Sequence, residues 1–213
     1  EEITPERRDD WKEVHQYIEA MNGSIKLLNE LPLSNRLIRE TYKILLQTVR
    51  GENKMPGDFR ISQNWIGGSS LASAKFIPPN YRYIDELMGD VERFIHNESN
   101  NVPHLIKIAI LHYQFETIHP FLDGNGRVGR LLITLYLVGQ GILNKPALYL
   151  SDYLERNRDE YYSHLTAIRE KNQIIPWIKF FLKGIISTAT NAKETFIKII
   201  QLQKDMEVKL HSF

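Results

Sequence analysis

The sequence contains no cysteine among its 213 residues. This absence excludes disulfide bonds, cysteine-ligated zinc, iron–sulfur clusters and a thiol nucleophile. No run of about 18 uncharged apolar residues occurs, so we expect no membrane-spanning helix. The first residues also lack the basic and apolar regions of a signal peptide. From these absences we expect a cytoplasmic protein that has no membrane partner.

An excess of charge of either sign is missing too. Lys and Arg number 27 against 26 Asp and Glu, which leaves a formal net charge of +1. This balance argues against a broad nucleic-acid-binding surface, although it leaves room for a small anion site. Internal repeats and an obvious linker are absent, so a single domain over 1–213 is the simplest prediction. Because the chain begins with Glu1 rather than Met, we expect a fragment or a processed product.

Apolar residues recur at helical spacing along most of the chain, which predicts a mostly α-helical fold. The predicted layout has N-terminal helices over 4–51, a helical core over 81–188 and an amphipathic helix over 192–211. Within the core, 105–118 and 128–138 are apolar almost all round, so we expect both stretches to be buried.

One region reads differently from the helices. A Pro-Gly turn signal at Pro56 precedes two short runs with strand character, and Gly67-Gly68 lies between these runs. We predict a short β-hairpin over 59–77, and a plain surface connection is the alternative.

The residues with the clearest chemical potential form one stretch, HPFLDGNGRVGR at 119–130, which we name the motif segment. Gly124 and Gly126 permit backbone conformations that can turn successive N–H groups toward one anion at the start of a helix. Arg127 and Arg130 are three residues apart, so they share a helix face, and guanidinium groups suit phosphate geometry.

Two further residues of the motif segment suggest chemistry as well as binding. Asp123 offers a carboxylate, and one carboxylate plus phosphate oxygens and waters is a usual way to hold Mg²⁺. His119 is a natural general base at neutral pH. Together these residue types indicate nucleotide phosphate chemistry. The segment also matches G-x-G-x-x-G, but a dinucleotide-binding fold needs a preceding strand, and a helix-length run precedes it here. A structural loop is the alternative for the glycines alone.

The motif segment resembles the signature of the Fic family, His-x-Phe-x-(Asp/Glu)-Gly-Asn-Gly-Arg-x-x-Arg, at every specified position. PGDFR at 56–60 and QNWIGG at 63–68 resemble the region that the family calls the flap, and the likeness extends over about 33–182. Doc relatives, which phosphorylate, carry Lys where this chain has Gly126. The resemblance therefore implies a Fic-type helical domain of the adenylyl-transferring branch.

The resemblance implies a reaction and a role for each residue of the motif segment. Fic enzymes move AMP from ATP to a Ser, Thr or Tyr hydroxyl of a target protein and release pyrophosphate. His119 would take the hydroxyl proton, and Asp123 would hold Mg²⁺. The nucleotide-binding residues would be Gly124, Asn125, Gly126, Arg127 and Arg130. Phe121 would anchor the loop in the core.

Outside the motif segment, the resemblance implies nucleotide contacts from Tyr161 and Tyr162, whose alternative role is core packing. Ile66 and Gly67 of the flap would bind a target segment by strand addition. The implied partners are ATP and a hydroxyl-bearing target protein, and self-modification and homodimer formation stay open. His112 and the remaining histidines outside the motif segment are interpreted as packed residues, since no further metal ligands accompany them.

Three alternatives to protein adenylylation stay open at this point. The enzyme could use another nucleotide or phosphate donor, or it could remove AMP. A non-catalytic module that binds ATP for regulation is the third, and the intact His119 argues against it. Many Fic proteins are restrained by a helix with (Ser/Thr)-x-x-x-Glu-(Gly/Asn). The sequence lacks this pattern, because Thr195 follows Glu194 at the nearest match, so we expect such a helix upstream, on a partner, or not at all.

Overall fold

The computed structural model describes residues 5–47, 55–99 and 101–211, and within these ranges it describes side chains from Trp11 to Leu210. The structure confirms the prediction of a mostly helical chain. The helices are α1 (Pro5–Leu27), α2 (Asn35–Leu45), α3 (Ile84–His96), α4 (His104–Ile118), α5 (Asn125–Gly139), α6 (Leu150–Arg156), α7 (Arg158–Lys171) and α8 (Ile174–His211). None of the described helices is both long enough and apolar enough to cross a membrane.

The fold contains two compact units, Glu1–Asn144 and Lys145–Phe213, and each is described by itself. The motif segment lies in the first unit, and the prediction of a single domain over the whole chain stays a prediction. In the first unit, α1 packs on α2 and α4 packs on α5. The prediction that the apolar stretches in α4 and α5 are buried is confirmed, because Ile108, Phe115, Leu131 and Leu135 are each at most 1 % exposed.

The N-terminal helices differ in detail from the sequence pattern. Apolar residues recur at helical spacing from Trp11 to Met21, and Gly23 after them predicts the end of the first helix, but α1 continues to Leu27. Of this apolar stripe only Met21 is buried, and Trp11 is 71 % exposed. A buried hydrogen bond of 2.7 Å between Ser24 Oγ and Thr41 Oγ1 joins α1 to α2 instead. Polar groups thus form part of this contact, which an apolar pattern does not reveal.

Helix α2 begins as predicted and ends earlier than predicted. The side chain of Ser34 accepts a hydrogen bond from the Leu37 amide and caps the helix. The helix ends at Leu45, whereas the sequence predicts an end near position 50 with Gly51 as the cap, and that cap lies outside the described residues. Its buried face includes Tyr42, which is 0 % exposed. The apolar spacing, which predicts a face made of Leu37, Ile38, Thr41, Ile44 and Leu45, does not reveal this tyrosine, and its ring stacks on Phe121 of the motif segment.

The predicted β-hairpin at 59–77 is not confirmed. Among the described residues of this segment there is no strand, and one isolated antiparallel bridge pairs Ile66 with Phe76. The Ile66 amide donates to the Phe76 carbonyl at 2.9 Å, and the Phe76 amide donates back at 3.1 Å. A single bridge leaves most of the segment as an irregular loop, so we call 59–77 the flap loop.

The second unit is built from α6, α7 and α8. The sequence predicts a helical stretch over about 148–171 with a break near Arg156, and the break is confirmed, since α6 ends there and α7 starts at Arg158. The sequence also predicts separate helices over about 176–188 and 192–211, whereas the structure has one continuous helix of 38 residues. No proline or glycine occurs between 185 and 211, so nothing in the sequence forces a break there. Trp177, fully buried, packs on Tyr161, Phe180 and Phe181 in this unit.

The contact between α4 and α5 depends on a residue without a side chain. A methyl group on Gly129 would overlap Glu116 Oε1 and would lie 3.2 Å from Phe115 Cδ1. The ring of His112 adds a hydrogen bond of 3.1 Å between its Nδ1 and the Gly129 carbonyl. Gly129 therefore sets how closely the two central helices approach.

Replacing Gly129 with Ala should lower the free energy of unfolding by about 1–3 kcal/mol, because the added methyl group overpacks the buried contact. Urea unfolding of the purified variant measures this change. Gly139→Ala is the matched control on the same helix, where the nearest atom to an added methyl group is Leu28 Cδ2 at 3.6 Å. The control should be neutral or slightly stabilising. Equal unfolding free energies for the two variants would contradict the role of Gly129.

Candidate active site

The motif segment joins two buried helices through a tight turn. His119 follows the last residue of α4 and adopts the left-handed conformation, with φ 52° and ψ 59°. Gly124 precedes α5 and is also left-handed, with φ 74°. Histidine is one of the few non-glycine residues that tolerate this region. The turn therefore brings the end of α4 and the N-terminal amides of α5 to one place.

The side chain of Asn125 holds this turn together from inside. Its Oδ1 accepts a hydrogen bond from the Phe121 amide at 2.9 Å, and its Nδ2 donates to the Phe121 carbonyl at 2.8 Å. The residue is 2 % exposed. Sequence analysis expected this side chain at the nucleotide, whereas the structure places it in the loop's own framework. The amides of Asn125 and Gly126 remain at the start of the helix, where α-helical geometry gives them no partner further up the chain.

The ring of Phe121 fixes the loop in the core, as predicted. It is fully buried and stacks on Tyr42 with ring centroids 3.8 Å apart and an interplanar angle of 19°. Phe59 from the flap loop and Phe115 from α4 pack around it. Deep burial and the nearby negative charge of Asp123 raise the pKa of the Tyr42 phenol above its ordinary value of 10.0. Tyr42 therefore stays a neutral wall of the loop at physiological pH.

The two arginines lie over the two glycines. A methyl group on Gly124 would be 3.5 Å from Arg127 Nη2, and one on Gly126 would be 3.3 Å from Arg130 Nη1. The glycines thus leave room for both guanidinium groups at the start of α5. Arg130 Nε is buried and has no hydrogen-bond partner among the described residues. Two cations beside N-terminal helix amides favour an anion with several oxygens.

The chain itself supplies negative charge at this point. Glu13 of α1 forms an ion pair with Arg127, with Oε2 and Nη1 3.9 Å apart. The carboxylate of Glu13 is 48 % exposed, so water screens this pair strongly. Sequence reasoning did not find this contact, because the two residues are far apart in the chain and no local pattern links them.

Asp123 is the candidate magnesium ligand, and it fits that role. Its side chain is exposed, and one oxygen, Oδ1, accepts a hydrogen bond from the Gly124 amide at 2.7 Å. The described residues contain no group of three or more His, Asp or Glu side chains that could hold a metal ion alone. A lone carboxylate suits Mg²⁺ that is also bound by substrate phosphates and waters. The donor set therefore fits a metal that arrives with a nucleotide.

Comparison with known proteins agrees with this geometry. The model of the Fic/DOC family matches residues 32–137, which include the whole motif segment and the flap loop. The chain belongs to the Fic/DOC family. The prediction of this family from the motif segment is confirmed. Tyr161 and Tyr162 lie beyond the matched residues.

Individual relatives carry related names. The chain is 29% identical over 172 residues to "Protein adenylyltransferase Fic" of Drosophila grimshawi, which covers 78% of this chain and 32% of the relative. It is 39% identical over 119 residues to "Probable protein adenylyltransferase aq_aa38" of Aquifex aeolicus, which covers 56% of this chain and 32% of the relative. The chain thus spans about a third of the length of these two curated relatives.

A solved structure shares the fold. A Fic family protein from Desulfovibrio desulfuricans aligns with a TM-score of 0.70 and 24% identity, over 84% of this chain and 53% of that one. At this identity the likeness bears on the fold alone. It supports the expected Fic-type helical fold, and the β-hairpin remains a prediction.

The flap loop of this Fic chain reaches the motif segment through side chains that sequence analysis missed. Arg60 Nε donates to the His119 carbonyl at 2.9 Å, and Asn64 Nδ2 donates to the Phe121 carbonyl at 3.0 Å. Arg60 is only 2 % exposed. A basic residue in a loop gives no local signal of burial, and only the resemblance of 56–60 to the flap region marked this stretch.

The tip of the flap loop contains the predicted target-binding residues Ile66 and Gly67. The tip is internally bonded, because the Ser73 hydroxyl oxygen accepts from the amides of Ser69 and Ser70 at 3.0 and 3.1 Å. Gly68 has φ 74°, and any side chain there would overlap the Ser73 carbonyl. The shape of the tip is thus determined by its own residues.

Tyr161 and Tyr162 belong to the second unit, and their nucleotide role stays a prediction. Tyr161 is 8 % exposed and packs on Trp177 with ring centroids 5.9 Å apart, which agrees with the alternative of core packing. Tyr162 is 48 % exposed, and the Arg158 guanidinium lies 5.9 Å from its ring centroid. Of the pair, Tyr162 has the more accessible ring.

His112 is confirmed as a packed residue, and it touches the Fic helix α5. It is fully buried, and burial lowers its pKa from 6.5 to about 4. A carbonyl can only accept, so Nδ1 carries the proton that it donates to the Gly129 carbonyl. Between pH 6.5 and pH 4 the unfolded chain binds a proton at this residue that the folded chain does not bind. Stability therefore falls as the pH falls through this window.

This linkage predicts that acidification from pH 7 to pH 5 removes about 2 kcal/mol of unfolding free energy through His112 alone. The variant His112→Asn keeps a side-chain N–H for the Gly129 carbonyl and cannot titrate. Between pH 7 and pH 5 its unfolding free energy should therefore fall by about 2 kcal/mol less than that of the wild type. Urea unfolding at both pH values measures the difference. His15→Asn, at an exposed position of α1, is the control. Parallel losses for wild type and His112→Asn would contradict a neutral buried imidazole.

Proposed function

We propose that this protein is a Mg²⁺-dependent protein adenylyltransferase that moves AMP from ATP to a Ser, Thr or Tyr hydroxyl of a target protein. One observation carries the proposal: two guanidinium groups lie over two glycines at the start of α5, beside an exposed carboxylate and a histidine. The names of the relatives from Drosophila and Aquifex support it. Gly126 also supports it, because this position carries Lys in the phosphorylating Doc branch.

In the proposed reaction, the target hydroxyl oxygen attacks the α-phosphorus of ATP. The bond from that phosphorus to the oxygen bridging the α- and β-phosphates breaks, pyrophosphate leaves, and the hydroxyl proton passes to His119. The amides of Asn125 and Gly126 and the side chains of Arg127 and Arg130 bind the phosphates, and Gly124, whose amide is bonded to Asp123 Oδ1, lines the start of the helix without a side chain in the way. Phosphoryl-type transfer depends mainly on positioning and on charge stabilisation, which is what these groups supply.

Asp123 is the residue that would hold the magnesium ion. When bound, Mg²⁺ offsets phosphate negative charge and acts as a Lewis acid. Because Oδ1 of Asp123 is held by the Gly124 amide, the carboxylate has a set orientation and Oδ2 is left for a ligand. Asp123 therefore orients the triphosphate relative to the helix start.

The remaining features of the proposal come from the family resemblance. Ile66 and Gly67 would contact a target segment, and since the Ile66 amide and carbonyl are already bonded within the flap loop, Gly67 would supply the backbone hydrogen bonds. Tyr162, with the more exposed ring, and Tyr161 would contact the nucleoside. The target could be another protein or this chain itself, and a homodimer is compatible with either.

His119→Asn tests the proposed base without disturbing the turn, because asparagine also tolerates the left-handed conformation. We expect the rate of AMP transfer to fall by at least about 100-fold. The dissociation constant for ATP should change by less than about threefold, since His119 is not among the phosphate-binding groups. Transfer is measured with α-labelled ATP, Mg²⁺ and cell lysate, and intact mass reports self-modification.

Arg130→Ala should instead weaken ATP binding, because it removes one of the two cations at the start of α5. Arg93→Ala, which removes an exposed arginine paired with Asp90 on α3, is the matched control and should leave binding and transfer unchanged. A wild-type protein that binds ATP but transfers nothing would contradict the enzyme and favour the regulatory module. Transfer from another nucleotide in a donor panel, but not from ATP, would favour the alternative donor.

A further inference from the structure

The carbonyl groups at the end of α4 need hydrogen-bond donors, and the flap loop supplies them. The last residues of a helix leave carbonyl groups without intrahelical partners, and the helix dipole makes this end negative. Here the next residue, His119, is also left-handed, a conformation that non-glycine residues keep only when their surroundings hold them in place. The contacts at Ile118 and His119 therefore decide where the histidine is held.

Arg60 makes most of these contacts. Its Nε donates to the His119 carbonyl at 2.9 Å, and its Nη2 donates to the Ile118 carbonyl at 3.4 Å. Its own backbone amide donates to the Pro120 carbonyl at 2.8 Å. One residue of the flap loop thus binds three consecutive carbonyls around the turn, two of them through a rigid fork.

The same guanidinium also binds carbonyls near the start of the flap loop and just after its end. Nη1 donates to the Ser62 carbonyl at 2.9 Å, and Nη2 donates to the Pro79 carbonyl at 2.6 Å. In the described part of the chain no carboxylate forms an ion pair with Arg60. Burial lowers its pKa to about 10, so it stays charged at neutral pH. A buried cation with carbonyl partners at a helix C-terminus is both satisfied and favourably placed.

Asn64 adds a second donor to the same turn. Its Nδ2 donates to the Phe121 carbonyl at 3.0 Å and approaches the His119 carbonyl at 3.5 Å. The phosphate-binding half of the motif segment is held differently, by the Asn125 side chain and by the stacking of Phe121 on Tyr42. The turn therefore has two supports, Arg60 on the histidine side and Asn125 with Tyr42 on the anion side, and they meet at the Phe121 carbonyl, which accepts from both Asn64 and Asn125.

We infer that Arg60, assisted by Asn64, is a positioning residue that fixes the His119 backbone for catalysis and contributes little to ATP binding. The inference rests on the proposed function for its kinetic part and on geometry alone for its structural part. Loss of Arg60 lets the histidine move relative to the bound nucleotide, and a displacement of about 1 Å can cost roughly a hundredfold in rate.

The kinetic test uses Arg60→Lys, which keeps the charge and loses the fork. At saturating ATP and at equal folded fractions, kcat should fall by about 10- to 100-fold, and the dissociation constant for ATP should change by less than about threefold. Lys107→Met is the matched control. Lys107 is also a buried cation that binds helix-end carbonyls, those of Ile95 and Asn97, at 3.0 and 2.9 Å. The Lys107→Met variant should have a lower thermal unfolding midpoint than the wild type and a kcat within about twofold of it.

A second measurement does not depend on activity. In the Arg60→Lys protein, the three-bond HN–Hα coupling and the Cα chemical shift of His119 should move away from their wild-type, left-handed values. In the Lys107→Met protein, the coupling and the Cα chemical shift of His119 should keep their wild-type values. In the wild-type protein, a scalar coupling across the hydrogen bond should connect Arg60 Nε to the His119 carbonyl carbon. If Arg60→Lys does not fold, Asn64→Ala is measured in the same way, with a smaller shift and a smaller loss of kcat expected.

The outcomes separate the two proposals. A wild-type protein without transfer activity but with the Arg60–His119 coupling and the expected shifts would overturn the proposed function and keep the positioning role. A folded Arg60→Lys protein with wild-type kcat and unchanged His119 signals would overturn the positioning role. Absence of the Arg60–His119 coupling in the wild type would also overturn the positioning role. So would an equal loss of ATP affinity and kcat in the Arg60→Lys protein.

Discussion

The turn between α4 and α5 has to satisfy the ends of two helices within the six residues that separate Ile118 from Asn125. The carbonyls of one helix end and the amides of the next helix start point into this short space, and each set needs partners or a ligand. The buried amide of Asn125 closes the turn on Phe121, and the Arg60 guanidinium takes up the carbonyls at the end of α4. Within the described part of the chain, the amides of Asn125 and Gly126 at the start of α5 have no such partner, and this is where an anion is expected. The candidate anion site therefore consists of the backbone amides at the start of α5 that the rest of the fold does not bind.

The central helices were predictable because their sequences are apolar on all sides, and the motif segment because eight specified residues are close together in sequence. The supports of the motif segment were not predictable in the same way. Tyr42, Arg60 and Asn64 come from parts of the chain about 55 to 80 residues away from it, and none has a neighbouring pattern that reveals its contact. Asn125 is the opposite case: its position in the motif segment was predicted, but its side-chain amide is hydrogen-bonded to Phe121 within the loop. Local sequence identifies chemical groups, and long-range packing decides which of them are accessible.

Two details of the helix pattern have a common origin. The apolar spacing on α1 predicts a helix, yet Trp11 in that stripe is largely exposed, and the amphipathic end of the chain is predicted as a separate helix, yet α8 runs through without a break. In both cases an amphipathic pattern indicated a helix correctly and could not say what covers its apolar face. Periodicity reports the conformation of a segment, whereas burial depends on the neighbours that the fold supplies.

The internally bonded tip of the flap loop has a thermodynamic consequence. The Ser73 hydroxyl is bound to the amides of Ser69 and Ser70, and Gly68 packs too closely on the Ser73 carbonyl for any side chain, so the backbone next to Gly67 is held by the loop's own contacts. Ordering a loop on association normally subtracts from the affinity, because each immobilised residue loses conformational entropy. Here much of that loss occurs when the chain folds. A segment that docks against the tip can therefore bind through few contacts, which suits recognition that depends on the backbone more than on the sequence of the bound segment.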